Sequence, residues 1–169
     1  YADGIVIRHH EQGAAARAAN VSPVPIINGG DGPGEHPTQA LLDLYTIHHE
    51  LGTFDDLTVA LVGDLRYGRA ARSLARLLGM SRNTRLLFVA PPAVPMGDDV
   101  KRYLDEHGVT WEDLEDLPTA LSQADVVYQT RLQRERFATP AEARAAEGHY
   151  IIGPEAMQFM RPNAILLHP

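Results

Sequence analysis

Short apolar runs with strand character alternate along the whole chain with stretches of helical periodicity, and this limits the fold to the α/β class with a mainly parallel sheet. The strand runs lie at 4 to 7, 24 to 28, 57 to 63, 85 to 90, 109 to 112, 125 to 128 and 164 to 167. Helical stretches are expected at about 11 to 19, 37 to 50, 67 to 78, 98 to 107, 117 to 123, 140 to 147 and 154 to 160. No internal repeat or low-complexity tract interrupts the pattern.

One helix organises the rest. Pro37 suits a first helical position, Gly52 can end the helix, and Leu41, Leu44, Tyr45 and His48 fall at i, i+3, i+4 and i+7, which predicts a buried stripe. The helix separates the first two strands from the remaining five and is expected to be a rigid connector between two α/β layers. The boundary then lies near residue 51, with 1–51 part of one lobe and 52–169 a nearly complete second lobe.

Composition excludes several classes of function. Fifteen Lys plus Arg against 22 Asp plus Glu leave a net charge of −7, so neither nucleic acid nor an anionic membrane is attracted by the chain as a whole. An anionic ligand must be captured locally. With no cysteine there is no disulfide framework, thiolate metal site or thiol nucleophile, and a reducing, cytoplasmic setting is expected. The apolar runs are far too short to cross a bilayer. The chain opens at Tyr1 almost directly on a strand and closes just after another, so it is read as a segment of a longer polypeptide.

Three segments carry chemistry. Residues 28 to 39 form a glycine-dense turn, with Gly29, Gly30 and Gly32, that feeds the helix beginning at Pro37. Free N–H groups at a helix start favour negative charge, and His36 and Gln39 would stand in that first turn as donors. The plainer alternative is a tight loop with His36 as a helix cap. In the second segment, 57 to 69, a strand ends at Gly63 and Arg69 follows at its carboxyl end, where a guanidinium suits a carboxylate or phosphate. Only Gly63 and Gly68 of a dinucleotide glycine pattern are present, and the next strand ends Val89-Ala90-Pro91 without an acidic residue for a ribose. A nicotinamide-dependent oxidoreductase is thereby disfavoured, while a solvated Arg69 stays open. In the third segment the strand at 125 to 128 leads into Thr130-Arg131-Leu132-Gln133, where alternation puts Arg131 and Gln133 on one face; Arg134, Glu135 and Arg136 read equally as a solvated charge run. Ligands of open α/β sheets bind at the carboxyl ends of strands, and all three segments end there.

Taken in order, Ile7-Arg8-His9, Gly30-Asp31-Gly32, His36-Pro37-Thr38-Gln39-Ala40-Leu41-Leu42-Asp43, Gly63-Asp64-Leu65-Arg66-Tyr67-Gly68-Arg69, Thr130 to Arg136 and His168-Pro169 resemble the catalytic chains of the aspartate carbamoyltransferase family. The ornithine enzymes share the His-Pro-x-Gln helix start, but the Tyr-Gly-Arg and Thr-Arg-Leu-Gln loops look like those of the aspartate enzymes. The resemblance implies a two-lobed fold with mainly parallel sheets flanked by helices. It also implies transfer of the carbamoyl group of carbamoyl phosphate to the α-amine of L-aspartate, an early step of pyrimidine biosynthesis. By the same resemblance Arg8 and His36 hold the carbamoyl carbonyl oxygen, Gln39 binds the carbamoyl amide, and Arg69, Arg131 and Gln133 bind the aspartate carboxylates. Arg8, His36 and Gln39 are the catalytic set.

No cofactor, catalytic metal or covalent intermediate is implied, and His9, His10, His48, His49, His107 and His149 are expected at the surface or in packing. The resemblance further implies a homotrimer, with regulatory chains or fused pyrimidine-pathway domains left open. A Ser-Thr-x-Thr phosphate loop, a lysine loop from a neighbouring subunit and a Leu-Pro-Arg after Pro169 belong to the family pattern but not to this segment, which is expected to be inactive by itself. A non-catalytic binding or scaffolding domain, or a carbamoyltransferase acting on another amino acid, is the alternative. Glu35 carries no expectation.

Overall fold

The computed structural model describes residues 2–133, 137, 139, 141, 143–144 and 150–169. Much of the helix expected over 140 to 147, the charge run Arg134, Glu135 and Arg136, and His149 lie outside the described residues.

The alternating pattern folds into two parallel sheets. Strands β1 (Ile5–His9) and β2 (Ile26–Asp31) pair with each other and are joined through α1 (Ala14–Ala19). Helix α2 (Pro37–Leu51) then leads to β3 (Thr58–Val62), α3 (Arg69–Leu78), β4 (Arg85–Val89), α4 (Asp98–Glu106), β5 (Thr110–Leu114), α5 (Leu117–Gln123), β6 (Val126–Gln129), α6 (Pro154–Met157) and β7 (Ile165–Leu167). These five strands form one sheet in the order β5-β4-β3-β6-β7, every neighbouring pair parallel.

The strands of this sheet read as continuous apolar runs because both faces are covered. Side chains alternate across a strand, so Val59 and Leu61 pack with Leu86, Phe88, Val126 and Tyr128 beneath α2, α3 and α4. Ala60 and Val62 pack with Leu87, Val89 and Val127 on the opposite face, against α5 and the segment around α6. The strand order reverses between β3 and β6, and the loops leaving their carboxyl ends diverge there. Such a reversal opens a crevice in doubly wound sheets.

Two expectations change. Residues 11 to 13 turn rather than begin α1, because Gly13 adopts φ 77° and its N–H is taken by the Asp31 carboxylate at 2.7 Å. The buried face of α2 is not the Leu41, Leu44, Tyr45, His48 stripe. Leu41 and Tyr45 are 57% and 67% exposed, His48 is exposed, and only Leu44 is partly buried. The inward face is Ala40, Asp43 and Ile47, turned about one residue from the predicted stripe. Hydrophobic periodicity missed it because a carboxylate, satisfied by partners from elsewhere in the fold, occupies the middle of that face. Ala40 and Ile47 join the same apolar cluster as β3 and α3, so α2 is a packed part of the second sheet's core as well as a link to it.

Candidate functional site

A cavity of about 830 Å³ opens where the carboxyl ends of β1, β2, β3, β6 and β7 face one another. Arg8, His36, Gln39, Arg69, Arg131 and Gln133 all line it, so six residues spread over 126 positions of sequence come together. Tyr67, Thr130 and His168, none of them singled out as a site residue from sequence, also border it. So do His9 and His10, which were expected only at the surface or in packing. Their place follows from tertiary convergence, and the one available signal was that each abuts a segment already marked by chemistry.

The glycine turn after β2 is held by Asp31. Its carboxylate accepts the N–H of Glu35 at 2.7 Å in addition to that of Gly13, which ties the turn to the start of α1. Burial works against the charged carboxylate, but the N–H donors of Glu35 and Gly13 outweigh it and hold the pKa below the ordinary carboxylate value. Gly30 is required here by its backbone, with φ at 117°, and a Cβ would also press on the Arg69 guanidinium at 3.0 Å. Arg69 spans this turn, with Nη1 donating to the Gly32 carbonyl at 2.9 Å. It is half-buried and engaged with the opposite loop, which removes the reading of a solvated arginine.

The loops after β3 and β6 brace each other. Gly63 has φ 113°, and a Cβ there would collide with the Thr130 carbonyl, so glycine permits the close crossing of the two chains. The buried Thr130 hydroxyl donates to the carbonyl of Val62 at 3.2 Å. Asp64, fully buried, accepts the N–H of Tyr67 at 2.9 Å and the N–H of Gln133 at 3.2 Å. Gln133 Nε2 in turn donates to the Tyr67 carbonyl at 2.7 Å. The two loops that present Arg69 and Arg131 are thus locked together at the crevice.

His36 stands at the cap position of α2, yet its side chain makes no capping hydrogen bond, which removes the cap alternative. Its backbone N–H donates instead to Ser73 Oγ at 2.9 Å, and the Ser73 hydroxyl donates to the Glu35 carboxylate. Glu35 is also 3.3 Å from Arg76 Nε. Burial, then the positive charges of Arg69 and Arg8, hold the imidazole below its ordinary pKa, with Asp43 pulling the other way. A neutral imidazole at neutral pH still offers one N–H.

One turn further, Gln39 Nε2 donates to Asp43 Oδ1 at 2.9 Å, and the Tyr128 hydroxyl donates to Asp43 Oδ2 at 2.6 Å. Burial, then the hydrogen bond to Asp43, raises the Tyr128 pKa far above the usual phenol value, so this side chain stays an O–H donor. The cavity therefore gathers the guanidiniums of Arg8, Arg69 and Arg131, the imidazole of His36 and the amides of Gln39 and Gln133 on one frame. Such a set binds ligands with more than one anionic group and stabilises oxygen charge that develops during a reaction.

The sequence matches the family described as "Aspartate/ornithine carbamoyltransferase, carbamoyl-P binding domain" over residues 1–49 and "Aspartate/ornithine carbamoyltransferase, Asp/Orn binding domain" over residues 55–169. It is 52% identical over 170 residues to the chloroplastic aspartate carbamoyltransferase of Arabidopsis thaliana, covering 100% of this chain and 44% of that protein. The crystal structure of the Trypanosoma cruzi aspartate transcarbamoylase with carbamoyl phosphate superposes with a TM-score of 0.92 at 41% identity, over 100% of this chain and 55% of that one. The same enzyme with N-(phosphonacetyl)-L-aspartic acid gives a TM-score of 0.91 at 40% identity, over 99% of this chain and 55% of that one. The chain thus spans about half the length of these relatives. Both halves of the sequence and the whole of the described fold agree, and the chain belongs to the aspartate/ornithine carbamoyltransferase family.

Proposed function

We propose that this chain is a segment of an aspartate carbamoyltransferase, with residues 52–169 forming the aspartate-binding lobe and residues 1–51 the end of the carbamoyl-phosphate lobe together with its connecting helix. The observation that carries this reading is the convergence of Arg8, His36, Gln39, Arg69, Arg131 and Gln133 on one cavity at the strand-order reversal. A relative crystallised with carbamoyl phosphate, and with a molecule joining a phosphonate to aspartate, supports the choice of substrates. The exposure of Val6 (66%) and Ile27 (48%) on the two-stranded sheet supports the idea that residues 1–51 belong to a larger lobe.

In this reading the aspartate α-amine, as the free base, attacks the carbamoyl carbon. A carbon–nitrogen bond forms, the carbonyl electrons move onto oxygen, and Arg8 and the His36 N–H stabilise that oxygen. The tetrahedral centre then collapses with cleavage of its bond to the phosphate oxygen, and the proton shed by the amine passes to the departing phosphate. The products are N-carbamoyl-L-aspartate and phosphate. Arg69, Arg131 and Gln133 hold the aspartate carboxylates, and Gln39 reads the carbamoyl amide. Catalysis is positioning plus electrostatic stabilisation. Assembly as a trimer in the cytoplasm, and a place in pyrimidine synthesis, complete the proposal.

Arg131→Ala in the full-length protein that carries this chain tests the assignment. Aspartate binding should weaken by about 2 to 5 kcal/mol, because a guanidinium is removed from a desolvated carboxylate, while carbamoyl phosphate affinity changes little. Titration of each substrate by calorimetry separates the two. Equal loss for both substrates in a folded protein would contradict the assignment.

A further inference from the structure

Asp43 is 6% exposed, lies on the inward face of α2 and is hydrogen-bonded to Gln39 of the proposed catalytic set. Its two carboxylate oxygens are divided between two donors. Oδ1 takes the Gln39 amide nitrogen, and Oδ2 takes the hydroxyl of Tyr128, a residue of β6 that is 0% exposed. A carboxylate can only accept, so the amide end of Gln39 that faces Asp43 must be the nitrogen. With the amide reversed, two oxygens would meet at 2.9 Å. Gln39 itself lines the cavity, and the acceptor it has left for a ligand is Oε1.

We propose that Asp43 is a positioning and specificity-determining residue: an acceptor at both oxygens, its carboxylate fixes the Gln39 amide so that the amide oxygen is offered to the cavity, which selects a ligand carrying an N–H donor. The proposal rests on the functional reading above and deepens it. A carbamoyl group has an NH₂ where an acetyl group has a methyl, and an oriented acceptor separates the two, since the acetyl group leaves it unpaired. An amide free to rotate separates them less well.

The test is calorimetric binding of carbamoyl phosphate and of acetyl phosphate to the full-length protein and its variants, read as the ratio of the two dissociation constants. In Asp43→Asn the buried Tyr128 hydroxyl still needs an acceptor and claims the Asn oxygen. The Asn nitrogen then turns to residue 39 and draws the Gln39 oxygen inward. The ratio should fall by about tenfold, the worth of one hydrogen bond. Adding Gln39→Glu to Asp43→Asn gives the Asn nitrogen a carboxylate oxygen and leaves another oxygen facing the cavity, so discrimination should return; this double variant also carries the test if Asp43→Asn alone does not fold. Tyr128→Phe perturbs the same buried spot without touching the Asp43–Gln39 bond and should keep the ratio. A ratio unchanged in folded Asp43→Asn, no recovery in the double variant, or an equal loss in Tyr128→Phe overturns the proposal while leaving the functional reading intact. Failure of the unsubstituted protein to bind carbamoyl phosphate overturns both.

Discussion

The hydroxyl of Ser73, on α3, accepts the backbone N–H of His36 at 2.9 Å, a contact between residues 37 positions apart that ties the entry of α2 to the second sheet. The same hydroxyl donates to Glu35, so one buried side chain fixes two consecutive residues at the entry of α2, the second of which lines the cavity. Ser73→Ala leaves the His36 N–H without its partner and should destabilise the fold by about 1 to 3 kcal/mol. In the full-length protein the maximal rate should fall more than aspartate affinity, because His36 loses its support while Arg69 and Arg131 do not. Urea denaturation with steady-state kinetics checks both, and an unchanged unfolding midpoint would contradict the structural part.

His36 should titrate below its ordinary value of 6.5, by burial and by Arg69 and Arg8. A folded-state pKa below the unfolded one means that the stability this group contributes is present above 6.5 and is lost as pH falls through the folded value. Arg8→Gln removes one positive neighbour and should move the pKa up. Following the imidazole resonance by NMR in both proteins measures the shift directly, and a value that stays put or falls in Arg8→Gln would contradict the electrostatic cause.

At Gly63 the constraint is steric. Gly63→Ala forces a side chain into φ 113° and against the Thr130 carbonyl, so destabilisation of at least about 2 kcal/mol is expected. The damage should be confined to the crevice if the chain survives, with the β3 to β6 pairing loosening first. Hydrogen exchange of the Thr130 N–H, which donates to the Val62 carbonyl at 2.8 Å, reports on that pairing, and protection equal to the parent's would count against it.

Legibility from sequence follows the range of the forces involved. Strands β3, β4 and β6 are apolar at successive positions because both faces are covered, so they are visible within any short window. The start and end of α2 were readable for the same reason: Pro37 and Gly52 act through their own backbones. Its buried face was not, since Asp43 looks like a solvated residue until Tyr128, 85 positions away, is seen to satisfy it. The residues expected at the site converge on one cavity, and each was legible as far as it sat at a strand's carboxyl end or in a familiar motif. Glu35 gave no signal, because its partners Ser73 and Arg76 are brought to it only by the packing of α2 on α3.

The proposed function is that the cavity holds carbamoyl phosphate and aspartate for transfer between them. Its most direct test is product analysis with the full-length protein, supplied with carbamoyl phosphate and either L-aspartate or L-ornithine. N-carbamoyl-L-aspartate and phosphate are expected in equal amounts from aspartate, with formation abolished by Arg131→Ala at subsaturating aspartate, and no product is expected from ornithine. Absence of carbamoyl-aspartate from a folded, substrate-binding protein, or comparable turnover of ornithine, would contradict it.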